Sequence, residues 1–185
     1  MEARLEIGLD RKQLVAAAFA QLEEEGLDKL SMRRLAARLN VQASALYWHI
    51  GDKAELLGLM AAEIYFAADR QVPPAVDWRT WLASFGRSLR ATYAAHRDGA
   101  LLCARAKPRP RIDRTASAER IAAPLVAFGL DPARAITLRA SVIAFTMGWA
   151  VIEANGPLHE YLGHMYDFDA TFENGLDALV AGLDA

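Results

Sequence analysis

The stretch Leu30-Ser31-Met32-Arg33-Arg34-Leu35-Ala36-Ala37-Arg38-Leu39-Asn40-Val41, followed by Ala45-Leu46-Tyr47-Trp48-His49-Ile50, decides the fold. Ser31 is a side chain that caps helix N-termini, and Leu35, Ala36 and Leu39 recur on one helical face. Asn40 suits the left-handed residue of a tight turn. A second, short helix follows around Ser44 to His49, and Gly51 breaks it. Two short helices joined by a tight turn form a unit whose second helix fits the major groove of DNA.

In that unit Leu35, Ala36, Leu39, Val41, Leu46 and Ile50 form the apolar set that holds the two helices at their crossing angle. This leaves Gln42, Ser44, Ala45, Tyr47, Trp48 and His49 to be divided between core and surface. Three bulky neighbours, Tyr47, Trp48 and His49, cannot all face one core from a short helix, so at least one must point outward. Small residues at Ala43, Ser44 and Ala45 permit close approach to base edges, including a thymine methyl. Tyr47, His49 and Lys53 are placed to donate to phosphates.

Working outward, the upstream segment Asp10-Arg11-Lys12-Gln13 has the form of a capping box. It is followed by Leu14, Ala18 and Leu22 at helical spacing and by Gly26 as a stop. Downstream, Asp52-Lys53-Ala54-Glu55 is a second capping box, opening a helix with Leu56, Leu57, Met60 and Ile64 inward. Gln71-Val72-Pro73-Pro74-Ala75 cannot continue a helix. It divides the chain into a DNA-binding part, residues 1–70, and a larger part, residues 71–185.

The second part reads as a helix from Trp78 to Ala95, a basic Pro-interrupted stretch from Arg105 to Arg114, and a helix from Thr115 to Phe128 that Pro124 should kink or break. Next comes a long helix from Pro132 to Ala154, capped by Asp131 and apolar on most sides, which predicts burial on most sides. Asn155-Gly156-Pro157 stops it, and a last helix carries Phe172, Leu176, Leu179, Val180 and Leu183. No alternating strand pattern occurs. The predicted fold is all-α.

The chain has 185 residues, 54% of them hydrophobic, enough for a substantial core without disulfides or a structural metal. Its net charge of -2 gives no general case for nucleic-acid binding. The distribution is more informative. Lys29, Arg33, Arg34 and Arg38 form a basic cluster, with no acid between Asp28 and Asp52. Beyond Ala140 there are acids but no Lys or Arg. DNA would be attracted to the first region and repelled by the last. Glu23, Glu24, Glu25 and Asp28 count against this unless they face away from DNA. With a single cysteine, Cys103, an intrachain disulfide is excluded. No apolar stretch is read as long enough to span a bilayer and no signal peptide is apparent, so the expectation is a soluble, cytoplasmic protein with no membrane partner.

The quoted stretch, with Lys53, resembles the DNA-binding domain of TetR-family repressors, and Leu46-Tyr47-Trp48-His49 resembles the tetracycline-repressor branch in particular. His96-Arg97-Asp98-Gly99-Ala100, Gly129-Leu130 and Phe145-Thr146-Met147-Gly148 are similar to further stretches of that branch. The resemblance implies a homodimer whose two heads read the halves of a palindromic operator in double-stranded DNA. The long helix and the last helix would form the dimer interface, and a small-molecule effector would bind in the larger part. By position, Arg33 corresponds to the family's base-reading arginine. Tyr47, Trp48, His49 and Lys53 match outright. Ala43, Ser44 and Ala45 fall where tetracycline repressors carry Gln, Pro and Thr, which implies a changed half-site.

In the larger part the resemblance informs mainly by its departures. In the tetracycline repressors a histidine holds the metal chelated to the drug, and its place is taken here by Cys103. The second-shell acid falls on Ile152 or Glu153, the drug-binding histidine on Asp69, and an amide-bearing asparagine on Phe85. A metal–tetracycline chelate needs oxygen and imidazole ligands, so no metal, no cofactor and no tetracycline are expected. Phe85, Leu89, Cys103, Phe128, Phe145, Trp149 and Ile152 instead imply a pocket for an apolar or aromatic ligand. Arg105, Lys107, Arg109, Arg111 and Arg114 form either a solvated loop or an anion site. Two other functions compete: a constitutive DNA-binding protein without effector response, and an enzyme using His96 with Cys103 or Asp98. The second lacks a nucleophile motif or phosphate loop, so the expectation is no enzyme.

Overall fold

The computed structural model describes residues 10–107 and 114–183. Asp10 accepts from the Gln13 amide at 2.7 Å, and the Gln13 side chain accepts from the Asp10 amide at 3.0 Å. This complete capping box opens α1, Arg11–Glu25, which ends at Gly26 with φ +81°. After a single 3-10 turn at Leu27–Lys29 come α2, Met32–Arg38, and α3, Ala43–Tyr47. Asn40 lies between them in the left-handed region at φ +53°. The third helix thus begins one residue earlier and ends two residues sooner than its spacing implied. Asp52 caps α4, Lys53–Gln71, by accepting from the Glu55 amide at 2.7 Å. The predicted box is split, because the Glu55 carboxylate takes the Gly51 amide, at 2.9 Å, rather than that of Asp52.

Then follow α5, Trp78–Ala94; α6, Gly99–Arg105; α7, Arg114–Val126; α8, Pro132–Ala154; α9, Gly156–Gly163; and α10, Phe168–Ala181. No strand occurs among the described residues, and the fold is all-α as expected. Two helices, α6 and α9, were not anticipated. The signal for α9 was present in Asn155, whose side chain accepts from Leu158 just before a Pro in the first turn. α7 continues through Pro124 to Val126, although a proline there removes the amide that would bond the Arg120 carbonyl. Arg109 and Arg111 of the basic stretch lie outside the described residues.

One continuous core joins Leu14, Leu22, Leu35, Leu46 and Met60 near the N-terminus to Leu82, Leu89, Leu138, Val142, Phe172 and Leu176 beyond. The connection runs through α4, which packs on α1 at one end and on α5 and α6 at the other. Around α8 stand α5, α6, α7, α9 and α10. Part of the acidic C-terminal region is paired within the body by two arginines of α5. Arg87 bonds Glu173 at 2.6 Å and Asp177 at 2.8 Å, while Arg90 pairs with Glu153 and with Asp169. These surface pairs fix orientation more than they add stability.

Two expectations for α8 require correction. It is not buried on most sides: Ala140, Ala144, Gly148 and Val151 face outward from the chain. Its 23 residues, with a mean hydropathy of 1.6 in the most apolar window, are also long and apolar enough to cross a membrane, contrary to the reading above. The sequence reading took apolar character as burial within one chain, whereas here one apolar face has no partner in that chain.

Gly99 opens α6 where the chain turns back on α5. A Cβ there would stand 2.6 Å from the Tyr93 carbonyl oxygen, a backbone atom that cannot swing aside. Gly99→Ala should destabilise the fold by about 1–3 kcal/mol. Calorimetry should show this as a lowered melting temperature, and an unchanged melting temperature would contradict the packing described.

Candidate nucleic-acid interface and internal cavity

The Ser31 hydroxyl accepts from the Arg34 amide at 3.3 Å and starts α2. Leu35, Ala36, Leu46 and Ile50 are buried between α2 and α3, as their spacing predicted. Val41, Leu39, Ala43, Ala45 and His49 are half-buried. Gln42, Ser44 and Arg33 are exposed, Tyr47 is 52% exposed, and Trp48, an indole with 89% exposure, stands in solvent at the end of α3. An indole left in water has its burial energy still available to a partner surface. The His49 carbonyl accepts from Arg11 Nε at 3.1 Å, which pins the end of this unit to α1. Lys53 is exposed in the first turn of α4.

The basic cluster is divided by its ion pairs. Arg34 bonds Glu25 at 2.8 Å, and Arg38 chelates Glu24 through two bonds of 2.7 Å. Hydrogen bonding from Arg38 holds Glu24 below the usual carboxylate range, and bonds from Gln21 and Arg34 do the same for Glu25. Arg33 and Lys53 have no ion pair among the described residues. The upstream acids therefore restrain two arginines of the cluster and leave Arg33, with Lys53 beyond it, available to an external anion.

Glu23 does something that the sequence reading missed. Its carboxylate stands 3.1 Å from His96 Nδ1 and accepts from the Arg97 amide at 3.1 Å. The Arg97 guanidinium donates to the Glu24 carbonyl at 3.1 Å, and Asp98, left-handed at φ +55°, accepts from the Leu27 amide at 2.8 Å. Arg105 reaches Asp28 at 2.9 Å. His96-Arg97-Asp98 thus clasps the C-terminal end of α1 immediately ahead of α6. Nothing in local spacing announces a contact across some seventy residues.

An open pocket of about 220 Å³ lies between α4, α7 and α8, with Arg120 and Ile121 exposed at its edge. Its wall includes Tyr65, Phe66 and Asp69 from α4, Arg120 and Ile121 from α7, and Arg139 from α8. Arg139 is 3% exposed. It donates to Asp69 at 2.5 Å and to the Ile121 carbonyl at 3.2 Å, and its guanidinium carbon lies 4.3 Å from the centre of the Phe85 ring. Asp69 and Phe85, both expected at a ligand site, therefore meet around Arg139. Phe85 and Leu89 are fully buried. Cys103 is buried too, and burial pushes its thiol up to about 12. Burial also raises the hydroxyls of Tyr65 and Tyr93, which stand 3.4 Å apart.

The remaining expected ligand residues lie elsewhere. Phe128 lines a separate depression with Trp78 and Arg134. Phe145 and Trp149 pack with Phe172 in an aromatic cluster, and Ile152 is half-buried near the end of α8. The sequence reading missed Tyr65, Phe66, Arg120 and Arg139. A signal for the last was available, since Arg139 is the single charge between Ala135 and Ile152. Among the described residues no three His, Cys, Asp or Glu side chains stand together as a metal site.

Comparison with known proteins is consistent with both halves of this geometry. Residues 14–60 match the family described as bacterial regulatory proteins, tetR family, and residues 72–164 match the tetracyclin repressor-like C-terminal domain. The chain belongs to the TetR family. It is 31% identical to the tetracycline repressor protein class G of Vibrio anguillarum, over 95% of this chain and 94% of that protein. A TetR variant of Acinetobacter baumannii AYE, solved with minocycline, superposes with a TM-score of 0.76 at 35% identity, covering 94% of this chain and 96% of that one. The Streptomyces coelicolor TetR family protein ActR, solved with (S)-DNPA, superposes with a TM-score of 0.74 at 29% identity and the same coverage. TetR proteins with different bound molecules thus share this fold almost equally, so the fold does not identify an effector.

Within the TetR head, Arg33 is exposed and has no ion pair among the described residues, which leaves its guanidinium available to a base or a phosphate. Arg33→Ala should weaken binding to a selected DNA site by about 1–3 kcal/mol while leaving the oligomeric state unchanged. Quantitative footprinting beside size-exclusion chromatography checks both, and an unaltered footprint would contradict the assignment.

Proposed function

We propose that this chain is a cytoplasmic, homodimeric one-component repressor that leaves a palindromic DNA operator when a small apolar or aromatic ligand enters its body. The observation that carries this reading is the exposure of Tyr47 and Trp48 at the end of α3, together with an exposed Arg33 on α2 and Lys53 on α4 that have no ion pair among the described residues. Residues 1–70 are assigned to DNA binding and residues 71–185 to the effector and the dimer, with α4 serving both. On this reading Arg33, Gln42, Ala43, Ser44 and Ala45 face the bases, while Tyr47, Trp48, His49 and Lys53 hold the backbone.

The open face of α8 is the dimer surface on this reading. Gly148 supports it, since a Cβ there would meet nothing within 4 Å of its own chain. The helix is read as a core and interface element rather than a membrane span, because Arg139 is buried within the bundle. Ligand entering between α4, α7 and α8 would move α4, and with it the head. Turning a population from 1:99 to 99:1 requires about 5.5 kcal/mol of differential affinity.

A metal–tetracycline chelate does not suit these residues. At neutral pH Cys103 is a buried, protonated thiol, and metal ligation requires the thiolate. Asp69 is committed to Arg139, and Phe85 offers no donor. The same chemistry supports a non-enzymatic reading: Cys103 is no nucleophile, and His96 and Asp98 are engaged with α1 and the turn after it. The purified protein on its selected DNA site should keep its affinity when tetracycline and Mg²⁺ are added. Release at about micromolar drug would contradict this account of the pocket.

A further inference from the structure

Arg139 is an incompletely satisfied cation in the cavity wall. One of its terminal nitrogens serves the Ile121 carbonyl and the other a single oxygen of Asp69, while Nε is buried without an acceptor. A guanidinium chelates a carboxylate through Nε and the neighbouring terminal nitrogen, using both oxygens. Asp69 bonds only the terminal nitrogen, so it holds the cation less completely than a well-placed carboxylate would. Its side chain is 28% exposed and so has a path to water if displaced.

The wall also carries Arg120, which has no ion pair among the described residues and whose guanidinium stands 5.6 Å from the centre of the Phe66 ring. Two cations therefore face one anion, on a surface otherwise made of Phe66, Ile121, Ile143 and the Tyr65 ring. At about 220 Å³ the space is smaller than the roughly 300–1,000 Å³ typical of drug-sized ligands. We infer that the effector is a compact apolar molecule bearing one carboxylate, and that this carboxylate takes the place of Asp69 on Arg139. The inference rests on the reading of this cavity as the effector site and adds to it the ligand's charge. Exchange at Arg139 would free the last turn of α4 from α8, which links ligand entry to the helix that carries the head.

The test is calorimetric titration of the full chain with phenylacetate, cinnamate and octanoate, each paired with its primary amide. At least one acid should bind, and its amide should bind roughly tenfold more weakly or worse. Asp69→Asn, which removes the internal competitor, should strengthen acid binding. Arg120→Gln, on an exposed side chain, should weaken it without loss of fold. Amides that bind as well as acids, failure of all the acids, or weaker acid binding by Asp69→Asn would each overturn the inference. The underlying reading is scored separately on operator DNA. A neutral compound that binds and releases DNA would leave effector control standing and remove the anion. An acid that binds without changing DNA affinity would support the anion and remove effector control.

Discussion

Arg139 places a full positive charge in the apolar stretch of α8, and three other helices are arranged around it. Asp69 comes from α4, the Ile121 carbonyl from α7, and the Phe85 ring from α5. A charge taken out of water is tolerated only when paired and hydrogen-bonded, so these elements cannot drift apart without exposing or orphaning the guanidinium. Removing one partner of such a pair typically costs about 3–5 kcal/mol. The pair joins α4 to α8 beside the pocket, whose remaining wall is largely apolar.

From that point two connections lead to the head. The first is α4 itself, a rigid lever whose last turn holds Asp69 and whose first turn presents Lys53. The second is the clasp of His96, Arg97 and Asp98 on the end of α1, which continues through Glu24 and Glu25 to Arg38 and Arg34 of α2. The clasp is built of hydrogen bonds and ion pairs, whereas α4 is held by the apolar core through Leu56, Met60 and Ile64. On the proposed reading, a displacement of α4 by ligand would reach the head along both routes.

The head was legible in the sequence because its determinants are local. Asp10 with Gln13, Ser31 before its helix, Asn40 in the turn, and Leu35, Leu46 and Ile50 in the core all act over a few residues. Crowding on a short helix required at least one of Tyr47, Trp48 and His49 to face outward, and the structure puts Tyr47 and Trp48 there. The body was less legible because its decisive contacts join distant segments. Glu23 counted against DNA binding until its partners on the far side of α5 were seen, and the open face of α8 carries the same apolar letters as a buried one. Phe145 and Trp149 have the spacing of a pocket wall yet close on Phe172. Arg139 was visible as a lone charge, but its partners Asp69 and Phe85 lie on other helices, and spacing along one helix does not show which helices meet.

The central claim is that two copies of this head read one DNA site through α3. Selection from random double-stranded DNA, followed by hydroxyl-radical footprinting of the full-length protein, tests it most directly. The account predicts a site with twofold symmetry, whose half-sites lie in major grooves about 10 base pairs apart, or a multiple of that, on one face of the duplex. A selected site without symmetry, or protection indifferent to sequence, would contradict it.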